Sequence, residues 1–487
     1  MNSVISEATT FKEIEREFYE IGCEVAKNLL AQYLETLDKE LSETRNIAEL
    51  RHKGCRETVI KTLMGEVILR RTLYKRAADD GSIEHVFLLD EELGFDTIGN
   101  ISPNLAEKIA GQACEMSFRE VAGSVSGLTN QSISHQGVWN VVQAIGERQA
   151  DAEKRLADDF ENDRLSGDKK AEVLFEEADG LWLSMQKRNR KNHTRIKKEL
   201  KTGVVYEGWE KRYPSSKEYK TVEKTAFAGF MGSEDFKVLR DSSIAAKYDM
   251  DEITHRILNG DGASWIRKDH DAETDILQLD RFHLSKSIAR NVLDKKAGRY
   301  IADVLKTGQC GRALEKIEEL KYECGGEEDK VKKLRILESY IKNNADSVMV
   351  YKDRAGLDLP EAPEGIEYRT LGTMERNVGI FAKRMKGAKS WSEKGASNLA
   401  KIMALKMGVG FNDRIAALVS GSVSERLSER FEEVIRNTRK TIGEKVSRSV
   451  YPLHHGEIPF SHCSVTNGRK AIRAMFDLKP FSEMEYR

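Results

Sequence analysis

The sequence predicts a mixed α/β core that is interrupted by an all-α block and preceded by a mainly α-helical region. Three observations carry this reading. Short apolar runs ending in Asp or Gly recur between residues 173 and 280, as buried strands do. Residues 283–344 switch to helical periodicity with dense charge. Residues 11–41 and 102–146 carry amphipathic helical patterns with a hairpin signal between them. At 487 residues the chain exceeds what one core organises, and about 100 to 200 residues per domain suggests roughly three units.

Taken in order, Phe11, Ile14, Phe18, Ile21, Val25, Leu29, Tyr33 and Leu37 recur at helical spacing, and Thr10 with Glu13 forms a capping box. Such a helix serves equally for packing within its domain, for a second subunit, or as a DNA-contacting arm. The runs 58–63 and 67–69 flank Met64-Gly65-Glu66 as a β-hairpin, with Arg70 and Arg71 at its exit. Residues 1–100 form this first region. In residues 101–150, short helices over 105–113, 118–126 and 131–145, with a Gly127-Leu128-Thr129 turn, have helix-turn-helix spacing. That arrangement would leave Ser132, Ser134, His135 and Gln136 to face a major groove. Ordinary helix pairs share the spacing, and His135 alone reads equally as a surface histidine.

Residues 150–170, acidic and containing Gly and Ser, read as a linker. A strand through Val173, Leu174 and Phe175 to Asp179 and Leu183 follows, then strands over 201–206 and 225–231. A helix over 236–248, a strand over 256–259 ending in Gly260-Asp261-Gly262, and a strand over 276–279 ending at Asp280 complete the set. This order matches a ribonuclease-H-like fold, whose first part would span 171–283. The α-helical insertion is placed at 284–365. The last part of the core, at 366–410, contains Gly372-Thr373-Met374-Glu375, where Thr373 can cap a helix running to about residue 385. Residues 411–487 carry two further helical stretches, 413–419 and 423–442, and His454-His455, without an assignable role.

Composition excludes several classes. Apolar residues make up 39% and charged residues 33% of the chain, which argues against global disorder. Cysteines at 23, 55, 114, 310, 324 and 463 form no Cys-x-x-Cys pair, so a zinc knuckle and a disulfide framework are disfavoured and a cytoplasmic setting is expected. No apolar segment reads as a signal peptide or a membrane span. Formal net charge is −1, so affinity for nucleic acid has to reside in local patches. One patch runs through Lys187, Arg188, Arg190, Lys191, Arg195, Lys197, Lys198 and Lys201, although charge runs are commonly no more than solvated surface.

Phosphodiester chemistry with two metals needs carboxylates converging from separate elements, because hard Mg²⁺ takes oxygen ligands and the ions sit about 3.5 to 4 Å apart. Asp179 in a strand, Asp261 in a Gly-Asp-Gly turn and Glu375 at a helix start meet that need. In a chain with 80 acidic residues, such a triplet also arises by chance.

The frames around these residues are more specific. Phe175-Glu176-Glu177-Ala178-Asp179-Gly180, Asn259-Gly260-Asp261-Gly262-Ala263-Ser264-Trp265-Ile266, Leu279-Asp280-Arg281-Phe282-His283 and Gly372-Thr373-Met374-Glu375-Arg376-Asn377-Val378 together resemble the ISLre-type insertion-sequence transposases. The resemblance extends in order from the N-terminal helix to about residue 410. It implies an Asp-Asp-Glu enzyme with a ribonuclease-H-like core and an N-terminal DNA-binding region. In it, Asp179, Asp261 and Glu375 would hold Mg²⁺, with Mn²⁺ possible. Asp280 and His283 resemble an element that Mutator-like transposases also place after their second aspartate, where it supports the active site. A helix-start histidine satisfying backbone groups is the plainer reading. Trp265 reads as a core residue or as a base-stacking one. The implied partners are double-stranded DNA, as element ends and target, and further copies of the chain. Rival readings are a nuclease without strand transfer and a catalytically inert DNA-binding regulator.

Overall fold

The computed structural model describes residues 10–78, 81–93, 98, 100–188, 194–267 and 275–420, together with a few positions between 431 and 440; of Lys187 and Arg188 only the backbone is described. Two compact units are distinguished, Met1–Asp90 with Phe95–Gly421, and Glu91–Gly94 with Ser422–Arg487. The main sheet, its flanking helices and the α-helical block all belong to the first. The predicted stretch 423–442 lies largely, and His454 and His455 entirely, outside the described residues.

Helix α1 (Phe11–Thr44) opens with the expected capping box: the Thr10 hydroxyl accepts from the Glu13 N–H while the Glu13 carboxylate accepts from the Thr10 N–H at 2.7 Å. It lies against an antiparallel sheet of β1 (Arg51–Thr62), β2 (Gly65–Ala77) and β3 (Ile83–Phe87). The hairpin is longer than its apolar runs indicate, and Arg70 and Arg71 lie within β2 rather than at an exit. Val67 and Leu69 are buried while Glu66, Ile68 and Arg70 face out, the alternation of a sheet covered on one side. Buried Asp38 of α1 ties the layers by accepting from the N–H and hydroxyl of Thr72 at 3.0 and 2.6 Å.

After a short α2 (Leu88–Glu92) come α3 (Pro103–Ala113), α4 (Phe118–Leu128) and α5 (His135–Glu161). Helix α5 continues through residues 150–161, which composition assigns to a linker. Ala152, Leu156 and Phe160 form a half-buried stripe at i, i+4, i+8 spacing, and Glu153 turns inward to pair with Lys401, while Asp151, Asp158 and Glu161 are exposed on the outer face of the helix. The main sheet follows: β4 (Val173–Arg188) and β5 (Arg195–Tyr206), a two-stranded ribbon of β6 (Gly208–Lys211) and β7 (Tyr219–Val222), then β8 (Thr225–Gly229), α6 (Ser233–Ala245), β9 (His255–Gly260), α7 (Ser264–Arg267) and β10 (Asp275–Leu279). The sheet order is β10-β9-β4-β5-β8. Strands β4, β5 and β8 are antiparallel neighbours, and β9 and β10 run parallel to β4.

Strand β4 is central and buried continuously from Val173 to Asp179, so both its faces are covered. Val173, Phe175, Leu181 and Leu183 enter a core shared with α3, α4, α5 and the later helices α12 (Met374–Met385), α13 (Glu393–Met407) and α14 (Phe411–Val419); Leu174 and Ala178 face a second core beneath α6 and α7. The helices predicted to bind DNA therefore share a core with the sheet, α5 packing against α13 and α6. The block between β10 and α12 holds α8 (Arg281–Asn291), α9 (Lys295–Lys306), α10 (Cys310–Glu323) and α11 (Glu328–Asn343) around its own core of Leu284, Ile301, Ile317, Leu337 and Ile341.

Close packing of α5 on α13 depends on Gly146, where an added Cβ would lie 2.3 Å from Cβ and 2.5 Å from Cα of Asn398. Gly146→Ala is therefore expected to lower stability by about 1–3 kcal/mol despite alanine's better helix propensity. A urea-denaturation midpoint at or above that of the wild type would contradict this.

Candidate metal and phosphodiester site

Register places the carboxylates. Ala178 of β4 is opposite Gly260 of β9, and Gly260 is opposite Leu279 of β10. The next residue in each parallel strand is Asp179, Asp261 and Asp280, so three aspartates form a row across adjacent strands about 4.8 Å apart. Asp179 remains inside β4, where its Oδ1 accepts the Gly180 N–H at 2.7 Å and its carbonyl accepts the Thr202 hydroxyl at 2.8 Å. Asp261 begins the turn after β9, accepting from the Ala263 N–H at 2.8 Å, with Gly262 at φ +86° where a side chain is disfavoured. Asp280 is the N-cap of α8.

Helix α12 brings Glu375 to this row, and the residue that sets its position is Glu177. Two residues before Asp179 on the same strand face, the buried Glu177 carboxylate accepts from the N–H groups of Gly372 (3.1 Å), Thr373 (3.0 Å) and Met374 (3.3 Å) and from the Thr373 hydroxyl. It also accepts from Tyr206 Oη at 2.7 Å and Asn259 Nδ2 at 3.0 Å. The expectation that the Thr373 side chain caps α12 is thereby corrected. Thr373 occupies the N-cap position but its hydroxyl makes no cap bond to its own helix, because a carboxylate from β4 takes the hydroxyl and the helix-start N–H groups together.

Ligand atoms of Asp179, His283 and Glu375 all lie within 4.8 Å of one another. His283 faces Asp179 with Nε2 at 4.0 Å, while its Nδ1 donates to Asp280 Oδ2 at 2.7 Å. Asp261 is outside that three-residue group, yet its charge is felt by both Asp179 and His283. Burial pushes the Asp179 carboxyl up to about 6; His283 opposes the rise, and the Asp261 and Glu375 carboxylates add to it. The hydrogen bond to Asp280 raises His283 above its usual value against the effect of burial. Burial acts to raise Asp280, but its bonds from the His283 ring and N–H hold it below the ordinary carboxylate range.

The donor set fits a hard divalent cation. Carboxylates crowd together at mutual electrostatic cost, and in the metal-free protein the counter-charge comes from a histidine fixed by a second carboxylate, as metal-ligating histidines are. Asp179, His283 and Glu375 lie close enough together to share one ion, a set of oxygens and one imidazole that could hold a divalent metal.

The other predicted residues fall elsewhere. Lys187 and Arg188 end β4, Arg190 and Lys191 lie outside the described residues, and Lys197 is exposed opposite Ser184. Ser184 is five residues beyond Asp179, ~17 Å along the strand, so Lys197 lies well away from Asp179, whereas Lys201 is opposite Gly180. Lys198 there pairs with Glu393 at 2.6 Å. Ser134 spends its hydroxyl on capping α5, accepting from the Gly137 N–H at 3.1 Å. Ser132, His135 and Gln136 are exposed beside it, with Gln136 donating to Asn140 at 2.9 Å. Trp265 packs edge-on against Phe236 with the Lys201 ammonium over its ring, which is the core arrangement.

Residues 4–417 match the family described as "Uncharacterised protein family (UPF0236)". The chain belongs to this family. A relative described as "UPF0236 protein in vanSb 3'region", from Streptococcus gallolyticus, is 24% identical over 413 residues, covering 83% of this chain and 84% of the relative. Among solved structures, the "Drosophila P element transposase strand transfer complex" covers 68% of this chain and 86% of its own at 8% identity and a TM-score of 0.20, a likeness too slight to assign a fold. No helix among the described residues is long and apolar enough to cross a membrane, and the five described cysteines are all free.

Proposed function

We propose that the chain is an Asp-Asp-Glu transposase with a ribonuclease-H-like core, which binds insertion-sequence ends and carries out metal-dependent strand cleavage and strand transfer. The observation that supports this best is the placement of Glu375 beside Asp179 and His283, with Glu177 fixing the helix start to the strand and Asp261 following directly on the strand paired with β4. Three antiparallel strands followed by two parallel ones, in the order β8-β5-β4-β9-β10, support the fold assignment.

Divalent metal held there would activate a water or a DNA 3′-hydroxyl and stabilise the leaving oxygen. The chain's own residues do the positioning. Asp179 and Asp261 present oxygens from the sheet edge, Glu375 presents one from α12, and the Asp280–His283 pair orients an imidazole beside Asp179 and supplies positive charge when its proton is retained. The glycines flanking Asp261 let Ile266 and Asn344 pack against the turn that carries it. Two ends have to be joined, so the working form is a dimer or larger assembly, acting on double-stranded DNA in the cytoplasm.

The test is incubation of the purified chain with a labelled element end and Mg²⁺, alongside Asp261→Asn. Nicking and joined products that require Asp261 are expected. Cleavage that survives Asp261→Asn removes that residue from the site. Cleavage without joining would make the chain a nuclease, and binding without cleavage at any metal concentration would make it a regulator.

A further inference from the structure

Beyond the carboxylates, the α-helical block forms a groove that the function above leaves unused. A cavity of about 780 Å³ lies between α8 and α11; it opens on Asp261 and His283 and is flanked by Lys286 and Arg290 from α8 and Lys332 and Lys333 from α11. All four cations are exposed. Several other lysines of the block are matched by acids about one turn away: Lys306 with Asp303 at 2.7 Å, Lys316 with Glu319 at 2.7 Å, Lys330 with Glu327 at 2.7 Å, and Lys321 with Glu318 at 2.6 Å. Among the described residues, none of the four groove cations forms an ion pair with a carboxylate. Lys286 instead rests over the ring of Phe282, which is 44% exposed. Among the described residues, the acids lining the groove are Asp329 and Asp261 itself.

The four groove cations thus converge, without carboxylate partners among the described residues, on the side of the block that faces the carboxylates. Four like charges around one concave face repel one another, a cost that a bound polyanion relieves. The groove is also rigidly joined to the site. Asp280 caps α8, and Tyr340 of α11 donates its hydroxyl to the Asp261 carbonyl at 2.7 Å. From His283 to Arg290 is ~10 Å along the helix axis, or about three base pairs at 3.4 Å each. Phe282 and Ile336, 44% and 53% exposed, offer apolar contact for sugars at its edges.

We propose that this groove holds the phosphate backbone of duplex DNA leading into the carboxylate row, so that the inserted helical block is a clamp on the substrate. The proposal rests on the phosphodiester-cleaving reading of the site. Lys286 and Arg290, one helical turn apart, grip one stretch of backbone, and Lys332 and Lys333 grip it from the facing helix.

The test measures duplex DNA binding by fluorescence anisotropy over a salt series, in Ca²⁺ to prevent turnover, with Mg²⁺-dependent cleavage of the same duplex followed in parallel. Lys286→Gln/Arg290→Gln and Lys332→Gln/Lys333→Gln are compared with wild type and with Lys220→Gln/Lys306→Gln, which alters exposed lysines elsewhere. Each groove pair is expected to weaken binding by roughly tenfold and to reduce the slope of log affinity against log salt by about 2, with thermal stability unchanged. The control pair should match wild type. Groove variants with wild-type affinity and slope overturn the clamp even if cleavage confirms the site. Binding that depends on the groove without any cleavage upholds the clamp and removes the catalytic reading. Preferential displacement of the DNA by duplex RNA overturns DNA as the occupant.

Discussion

Replacing Glu177 with alanine is expected to destabilise the protein by about 3–5 kcal/mol and to abolish binding of divalent metal, although Glu177 itself touches no proposed ligand position. Its carboxylate is the acceptor for six donors: the N–H groups of Gly372, Thr373 and Met374, the Thr373 hydroxyl, Tyr206 Oη and Asn259 Nδ2. Truncation leaves the buried Met374 N–H and Tyr206 hydroxyl without this acceptor, and each orphaned group costs about 1–3 kcal/mol before relaxation, while the Gly372 and Thr373 donors can turn to water. It also removes the negative charge at the start of α12, where the helix dipole favours one. Freed of that anchor, the first turn of α12 frays and Glu375 leaves the row. Glu177→Gln keeps the shape but turns one acceptor into a donor facing other donors, so its loss should be intermediate. Chemical denaturation and manganese binding measured on the same samples check this. A loss below about 1 kcal/mol with metal binding intact would show that α12 is held by other contacts.

Asp179→Asn is expected to have opposite effects on stability and activity. Burial raises the Asp179 carboxyl to about 6 from 3.8 in the unfolded chain. Below about pH 4 both states are protonated and the group contributes no difference. Between 4 and 6 the folded protein retains a proton that the unfolded chain releases, and above 6 the folded state bears the full cost of an ionised, crowded carboxylate. Two pKa units correspond to roughly 3 kcal/mol at most. The asparagine variant should therefore be more stable than metal-free wild type by roughly 1–3 kcal/mol at pH 7 to 8, and the gap should close towards pH 4. Added Mg²⁺ should stabilise wild type and not the variant. Cleavage should fall by about 10³-fold, since several kcal/mol of charge stabilisation at the reacting phosphate is lost at 1.36 kcal/mol per factor of ten. Thermal melts across pH, with and without metal, measure the first effect, and single-turnover cleavage the second. A variant less stable than metal-free wild type at pH 8 would mean that Asp179 is a structural acceptor rather than a crowded charge.

The strands around Asp179, Asp261 and Asp280 were legible in sequence because each is a short apolar run stopped by Asp or Gly, a local signal. Their shared row was not, since it depends on parallel register between strands separated by up to a hundred residues. Glu177 stood within a motif that sequence reading singled out, but its partner is the start of α12, 195 residues or more downstream. The available clue was an acid in a strand otherwise apolar on that face, two residues from Asp179. Residues 150–161 read as a linker because composition outweighed a weak i, i+4 stripe that only burial reveals. The basic run near Lys197 was found by counting charges, whereas Lys286, Arg290, Lys332 and Lys333 lie on two helices that only the fold of the inserted block brings together.

The most direct test of the site is calorimetric titration of Mn²⁺ into the wild type, Asp179→Asn and Glu375→Gln proteins at pH 7.5 and at pH 5. Saturable binding by wild type at pH 7.5, weakened at pH 5 as protons compete for Asp179 and lost in both variants, is the predicted result. Equal binding by all three proteins, or none by any, would contradict a metal site built from these carboxylates.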